Sequence, residues 1–256
     1  MMKSLLFTAL MLLIFSTCNW AQQDTTKSQK STWDYDYKNV VKIGVIAAAF
    51  SNISVSYERS IKPRWTVGLN AGYKYKGDTP TLFGLDSTSI TMTQTGINGF
   101  SITPETRYYL KSCENQSPNG FYVSLYMRYV NYSTAVNFIY YPNYPDKEVV
   151  NNIGANATLN EFGIGFMLGY QLLIKERFIV DFIIIGPRRS WINMKYEFDN
   201  NVSEEFLTTL EGKLQEVVDR FGFDHEVNIE KSGSREAKYS FNFTNVRFGI
   251  SLGYAF

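Results

Sequence analysis

The chain ends in the segment Asn245-Val246-Arg247-Phe248-Gly249-Ile250-Ser251-Leu252-Gly253-Tyr254-Ala255-Phe256. Side chains of a β-strand alternate between its two faces, so Phe248 and every second residue after it share one large, apolar face. The opposite face carries Arg247 and small residues. A strand of this kind that stops on an aromatic residue is typical of the closing strand of an outer-membrane β-barrel.

The composition agrees with such a fold. The 256 residues carry a net charge of +1, so there is no strong field to attract nucleic acid, and we predict no nucleic-acid partner. Aromatic residues make up 16% of the chain, which suits both β-sheets and the aromatic girdles of membrane barrels. The mean hydropathy of −0.19 is too polar for a helical membrane protein, but only alternate residues of a barrel strand face lipid.

The N-terminus is predicted to be a signal peptide over residues 1–21. Lys3 supplies a positive charge, and the apolar core from Leu5 to Phe15 is too short to span a bilayer as a helix. Lipidation of Cys18 is the alternative, although Thr17 is larger than the residue that normally precedes a lipidated cysteine. Residues 22–39 then form a periplasmic linker, and cleavage after Ala21 leaves Cys113 without a disulfide partner.

Eight segments after the linker have the alternation of β-strands. Most have nine to thirteen residues, which suits tilted membrane strands of about 9–11 residues better than ordinary strands of about 5–6. The predicted strands are residues 40–48, 52–61, 65–75, 100–110, 120–132, 159–174, 178–188 and 245–256.

The connections between these strands alternate in length. Membrane barrels have short periplasmic turns and longer outer loops. The short connections fall at residues 62–64, 111–119 and 175–177, whereas those at 76–99, 133–158 and 189–244 are long, with residues 49–51 as a short first outer connection. The pattern predicts an all-β fold over residues 40–256: an eight-stranded, antiparallel, up-and-down transmembrane β-barrel with both termini in the periplasm.

The polar faces of the predicted strands carry a balanced set of charges. Eight strands enclose an interior that side chains just fill, and charges withdrawn from water there need opposite partners. We therefore predict a closed, ion-paired lumen, and the alternative is a proton or ion path through the same residues. The predicted lumen charges are Glu58, Lys74, Glu105, Arg107, Arg128, Glu161, Asp181 and Arg247.

The last outer loop contains a helix signal. Ser203 is a capping residue, the acids Glu204 and Glu205 follow it, and Gly222 is a plausible stop. The pattern predicts an amphipathic helix over residues 203–221. Its apolar face packs on the barrel rim or other loops, or it docks to an unknown extracellular or envelope partner. That face comprises Leu207, Leu210, Leu214, Val217 and Phe221.

The sequence offers little for catalysis. Its one histidine, His225, lies between two acids in a polar loop, and no nucleophile elbow or second histidine for a metal pair accompanies it. We find no phosphate loop, zinc spacing or dinucleotide fingerprint. We therefore predict that the chain is not an enzyme and has no catalytic residue, cofactor or metal.

Several motifs carry a resemblance to a known group of proteins. They are Ser56-Tyr57-Glu58-Arg59, Thr103-Pro104-Glu105-Thr106-Arg107-Tyr108-Tyr109, Gly163-Ile164-Gly165-Phe166-Met167-Leu168-Gly169-Tyr170 and Leu252-Gly253-Tyr254-Ala255-Phe256. With these motifs the chain resembles the small outer-membrane β-barrels of Gram-negative bacteria, particularly uncharacterised families of unknown function.

The resemblance implies a location and a fold but no activity. It implies that outer-membrane lipid surrounds the barrel, and that Leu252, Tyr254 and Phe256 form the signal for the barrel-assembly machinery, with Ser251 where the usual signal has a glycine. We expect a structural or surface-interaction role through the outer loops. The alternatives are passage of small apolar molecules across the outer membrane and a soluble lipocalin-like binder.

Overall fold

The computed structural model describes residues 37–49, 51–77, 89–110, 118–143, 150–220, 230–231 and 235–256. The predicted signal peptide, Cys18, Cys113 and His225 lie outside the described residues. The elements are β1 (Asn39–Gly44), α1 (Val45–Ala49), β2 (Asn52–Lys62), β3 (Trp65–Gly77), β4 (Ile90–Tyr109), β5 (Gly120–Tyr140), β6 (Asn151–Ile174), β7 (Phe178–Phe198), α2 (Glu204–Arg220), β8 (Glu230–Lys231) and β9 (Glu236–Ala255).

Eight of the strands form a ring. β1 to β7 are consecutive antiparallel neighbours, β7 pairs with β9, and β9 pairs with β1 from Val40↔Ala255 to Gly44↔Ser251. The two-residue β8 adds to the edge of β9. The predicted antiparallel, up-and-down order of eight strands is thereby confirmed. We call the end of the ring that carries Asn39 and Ala255 the terminal end, and the opposite end the far end.

Five strands continue further toward the far end than the alternation predicts. Beyond the predicted boundaries the alternation changes its sense: in β9 the apolar Ala237 and Tyr239 face inward, whereas Lys238 and Ser240 between and after them face outward. The predicted loops at 76–99, 133–158 and 189–244 are correspondingly shorter. Strand starts or ends move from 100 to 90 in β4, 132 to 140 in β5, 159 to 151 in β6, 188 to 198 in β7 and 245 to 236 in β9.

The first predicted strand needs a correction. Residues 40–48 were expected to be extended, but β1 ends at Gly44 and the helix α1 follows. Its sequence Val45-Ile46-Ala47-Ala48-Ala49 ends in three alanines, the residue with the highest helix propensity. α1 contacts both β2 and β9, in the place where a longer β1 would have paired with them.

A β-bulge in β7 changes which side chains face the interior. The register with β9 shifts between Ile183 and Gly186. An extra residue in one strand reverses the parity of everything after it. Asp181 therefore faces inward before the bulge, and Arg188 and Ser190 face inward after it.

α2 lies on the inner side of the far-end extensions. The Ser203 Oγ accepts a hydrogen bond from the Phe206 N–H at 3.2 Å, which caps the helix at the predicted position. Phe206, Leu207 and Leu210 are buried, and Leu214 packs beside them. Their partners on the strands are the side chains of Ile90, Met92, Val136, Phe138, Tyr140, Ala155, Ala157, Tyr196, Phe198, Ala237 and Tyr239, and we call the whole set the far-end cluster. Within the described residues no helix is long and apolar enough to cross a bilayer.

Candidate functional site

The interior near the terminal end is occupied by charged side chains. Lys42 of β1 is at its centre, and its Nζ donates hydrogen bonds to Glu58 Oε2 at 2.5 Å, Asp181 Oδ2 at 2.8 Å and Gln171 Oε1 at 3.0 Å. Glu58 lies on β2, the neighbour of β1, whereas Gln171 and Asp181 lie on β6 and β7, which do not pair with β1. The lysine amine therefore connects opposite sides of the ring across its interior.

Arg107 of β4 completes this group. Its guanidinium contacts Glu105 Oε1 at 2.6 Å and Asp181 Oδ2 at 2.8 Å, and it lies over the Tyr122 ring at 4.2 Å. Asp181 also accepts a hydrogen bond from the Tyr122 hydroxyl at 2.8 Å. We call Lys42, Glu58, Glu105, Arg107 and Asp181 the ionic core.

The ionic core is withdrawn from water and well satisfied. All five side chains are buried, and Glu58 Oε1 accepts two further hydrogen bonds, from Thr66 and Tyr109, each at 2.7 Å. Burying charges is costly unless they are paired and hydrogen-bonded, and removal of one partner from such a network leaves the remaining charges uncompensated. With three acids and two bases, the ionic core carries one net negative charge.

A second ion pair lies further toward the far end. Arg188 Nη2 contacts Glu161 Oε1 at 2.6 Å, and the Ser190 hydroxyl donates to the same oxygen at 2.7 Å. The Arg188 Nε in turn donates to Ser190 Oγ at 2.9 Å. Gly163 opposite leaves the room for this arrangement, because a Cβ there would lie 2.7 Å from the Arg188 Cδ.

The predicted lumen charges divide into three groups. Four of them, Glu58, Glu105, Arg107 and Asp181, belong to the ionic core. Glu161 pairs with Arg188. Lys74, Arg128 and Arg247 are half-buried at inward positions and stand outside both groups.

Two central cations were absent from the predicted set. Lys42 could have been found by parity, because it shares a face with Val40 and Gly44 while Val41 and Ile43 point outward. Arg188 could not have been found in this way, because the bulge that turns it inward has no local signal in the apolar run of β7.

The predicted assembly and helix residues are placed as follows. Leu252, Tyr254 and Phe256 are exposed on the outer face of the ring, and the Tyr254 hydroxyl accepts a hydrogen bond from Arg177 at 2.8 Å. On α2, the leucines at 207 and 210 are buried against the chain's own strands and so are covered in this structure. Val217 lies in α2, and Phe221 lies outside the described residues.

The far-end cluster holds tyrosines that stay neutral. Burial raises the pKa of Tyr196 to about 12, and burial also raises the pKa of Tyr239 to about 12. A buried phenol resists ionisation because the charged form loses its hydration. The cluster that seats α2 is therefore uncharged at ordinary pH.

The fold and interior define a class of protein: an eight-stranded antiparallel ring whose interior contains buried ion pairs. Among the described residues, no group of three or more His, Cys, Asp or Glu side chains could hold a metal ion. The chain belongs to the family described as Protein of unknown function (DUF3575), whose model matches residues 8–205. The expected membership of an uncharacterised family is thus confirmed. No curated protein and no solved structure matches the chain.

Proposed function

We propose that this protein is an outer-membrane β-barrel of a Gram-negative bacterium, with a closed lumen and a helix-capped far end that makes contacts outside the cell. One observation carries the proposal: the outer face of the ring is an exposed apolar band. Leu125 is 59% and Phe166 60% exposed, and both lie mid-strand on the outer face. In water such a band would be a large aggregation surface, whereas lipid would bury it.

Aromatic rings border the band at both ends. Near the terminal end they form cross-strand pairs with ring centroids 4.7 to 5.8 Å apart, and toward the far end similar pairs lie 6.0 and 6.1 Å apart. Girdles of this kind mark the two interfaces of membrane barrels. The pairs are Trp65–Tyr108, Phe121–Tyr170 and Phe178–Tyr254 at the terminal end, and Phe100–Tyr129 and Phe162–Trp191 toward the far end.

The separation of the two girdles suits a membrane. In β4, β5 and β6 the girdle residues are eight positions apart: 108 and 100, 121 and 129, and 170 and 162. In β3 the exposed Tyr73, which lies opposite Phe100, is likewise eight positions from Trp65. Eight residues span about 26 Å along a strand, or about 20 Å along the membrane normal at a tilt of about 40°. That height is close to the apolar band of about 25 Å in outer-membrane barrels.

The inward side supports a closed lumen. The ionic core joins β1, β2, β4 and β7 across the interior, and the far-end cluster with α2 packs on the inner face beyond the far girdle. Beyond that girdle the strand extensions and α2 would stand outside the membrane. A largely polar surface in that position suits contact with an envelope or extracellular partner.

A charge placed in the band tests the membrane location. We expect Phe166→Arg to lower the free energy of unfolding in lipid vesicles by about 2–4 kcal/mol, because an arginine near the bilayer midplane loses its hydration. The measurement is a urea titration of the vesicle-embedded protein, followed by tryptophan fluorescence.

The same strand offers a matched control. Asn156 also faces outward on β6 but lies beyond the far girdle, so Asn156→Arg is expected to change stability by less than about 0.5 kcal/mol. Equal effects of the two substitutions, or the absence of the protein from the membrane fraction of cells, would count against the membrane location.

A closed lumen should not conduct ions. Because the ionic core crosses the interior and α2 packs on its inner face at the far end, we expect purified protein in a planar lipid bilayer to show no steady conductance. Lys42→Ala, which removes the central amine of the ionic core, is measured beside it as a protein with a less tightly packed interior. Steady conductance of hundreds of picosiemens from the unaltered protein would contradict a closed lumen and favour a passage.

A further inference from the structure

Three arginines surround Tyr126 on the inner face, between the ionic core and the far-end cluster. The guanidinium carbon of Arg247 is 5.7 Å from the centre of the Tyr126 ring. Arg128 and Arg188 are close enough to interact electrostatically with the same tyrosine, and Arg128 with Arg247. We call Arg128, Arg188 and Arg247 the arginine cluster.

The arginine cluster has too few acids around it. Glu161 already forms an ion pair with Arg188. Within the part of the chain that the structure describes, no carboxylate lies within ion-pairing distance of Arg128 or Arg247. The Nη1 of Arg247 is buried without a hydrogen-bond partner, which leaves a charged donor unsatisfied at substantial cost.

The interior along β9 is partly open to solvent. A Cβ built on Gly249, the inward neighbour of Arg247, would stand in ordinary van der Waals contact with the Ile183 Cδ1 at 3.8 Å and would meet nothing closer. The inward residues of β9 from Asn245 to Ser251 are half-buried, whereas those of β4 from Ser101 to Arg107 are buried. The space therefore lies along β9, on the side where β1 stops at Gly44 and α1 takes its place.

We propose that the arginine cluster binds a phosphate-type oxyanion in this space. The planar guanidinium fork matches two oxygens of a phosphate group, and the half-buried Arg128 and Arg247 have no carboxylate partner among the described residues. The charge balance also favours a bound anion. The arginine cluster, Lys42 and Arg107 give five positive charges, and the four acids Glu58, Glu105, Glu161 and Asp181 leave one of them uncompensated. The anion has two possible sources, free phosphate or the headgroup of a lipid that enters from the membrane.

Calorimetric titration of the full chain in uncharged detergent micelles tests the proposal. One arm adds inorganic phosphate, and the other adds micelles that contain lysophosphatidic acid. We expect saturable binding in at least one arm, weakened about tenfold or more by Arg247→Gln and by Arg128→Gln, because each removes a charge-assisted hydrogen bond. Arg189→Gln is the matched control, since Arg189 is the exposed, outward neighbour of Arg188.

Each result decides the question. Binding of inorganic phosphate identifies a free anion, and binding in the lipid arm alone identifies a headgroup; both support the site. The absence of binding in both arms overturns it, and so does unchanged binding by both cluster variants. Using two separate arginines keeps the test valid if one variant does not fold. Because binding is measured in micelles, a negative result would not bear on the membrane location.

Discussion

Lys42→Met is expected to lower the free energy of unfolding by about 3–5 kcal/mol. The substitution leaves Glu58 and Asp181 buried with only Arg107 to compensate them, whereas both now accept a hydrogen bond from the lysine amine. Breaking one partner out of a buried ionic network exposes the remaining charges to the full cost of their lost hydration. Methionine is uncharged and has nearly the length of lysine, so the substitution removes the charge with little loss of side-chain volume.

The measurement is a urea unfolding titration in detergent micelles, followed by tryptophan fluorescence. Lys62→Met is the matched control, because Lys62 is an exposed residue at the end of β2 and should change stability by less than about 0.5 kcal/mol. Adding Glu58→Gln to Lys42→Met should recover part of the loss, since it removes one uncompensated carboxylate. If Lys42→Met lowered the free energy of unfolding no more than Lys62→Met, the ionic core would not contribute to the stability of the ring.

The wall of the ring could be predicted because its determinants are local. In β3, Trp65, Val67 and Leu69 alternate with Thr66 and Gly68, and the outer face of the ring is where those apolar residues lie. The same alternation in β6 and the short connections at one end are enough to order eight antiparallel strands. Each of these signals needs only neighbours in the sequence.

The interior was harder to predict because its determinants are not local. Strand parity places all five residues of the ionic core inward and the prediction named four of them, but parity does not show who pairs with whom: the partners of Asp181 come from β1, β4 and β5. The bulge in β7 reverses the inward and outward positions inside an apolar run, so the alternation of the sequence does not predict that Arg188 faces inward. The far-end extensions were missed for another reason: their apolar residues face inward and their outward residues are polar, which is the reverse of the apolar-outward pattern that marks the predicted strands.

Phe206→Ala is expected to weaken the seating of α2 by about 3–5 kcal/mol, the usual cost of emptying a buried phenylalanine site. Phe206 is fully buried, and its ring lies 5.4 Å from Tyr140, 5.6 Å from Phe138 and 5.7 Å from Phe198. The helix has few other anchors, chiefly Leu207 and Leu210. Removing the largest of them should release α2 while the ring, which is held by its own hydrogen bonds and the ionic core, stays folded.

Hydrogen exchange measured by mass spectrometry separates these two parts. Amides of α2 should exchange roughly a hundredfold faster or more in Phe206→Ala, because each 1.4 kcal/mol of opening free energy changes the open population tenfold. Amides of β2 and β3 should exchange as in the unaltered protein. Thr208→Ala, at an exposed position of the same helix, should leave both regions unchanged. Unaltered protection of α2 in Phe206→Ala would show that the far-end cluster does not hold the helix.

A partner that binds α2 only when the helix is packed against the far-end cluster would also bind Phe206→Ala more weakly. The same variant therefore links the packing of α2 to the proposed surface role.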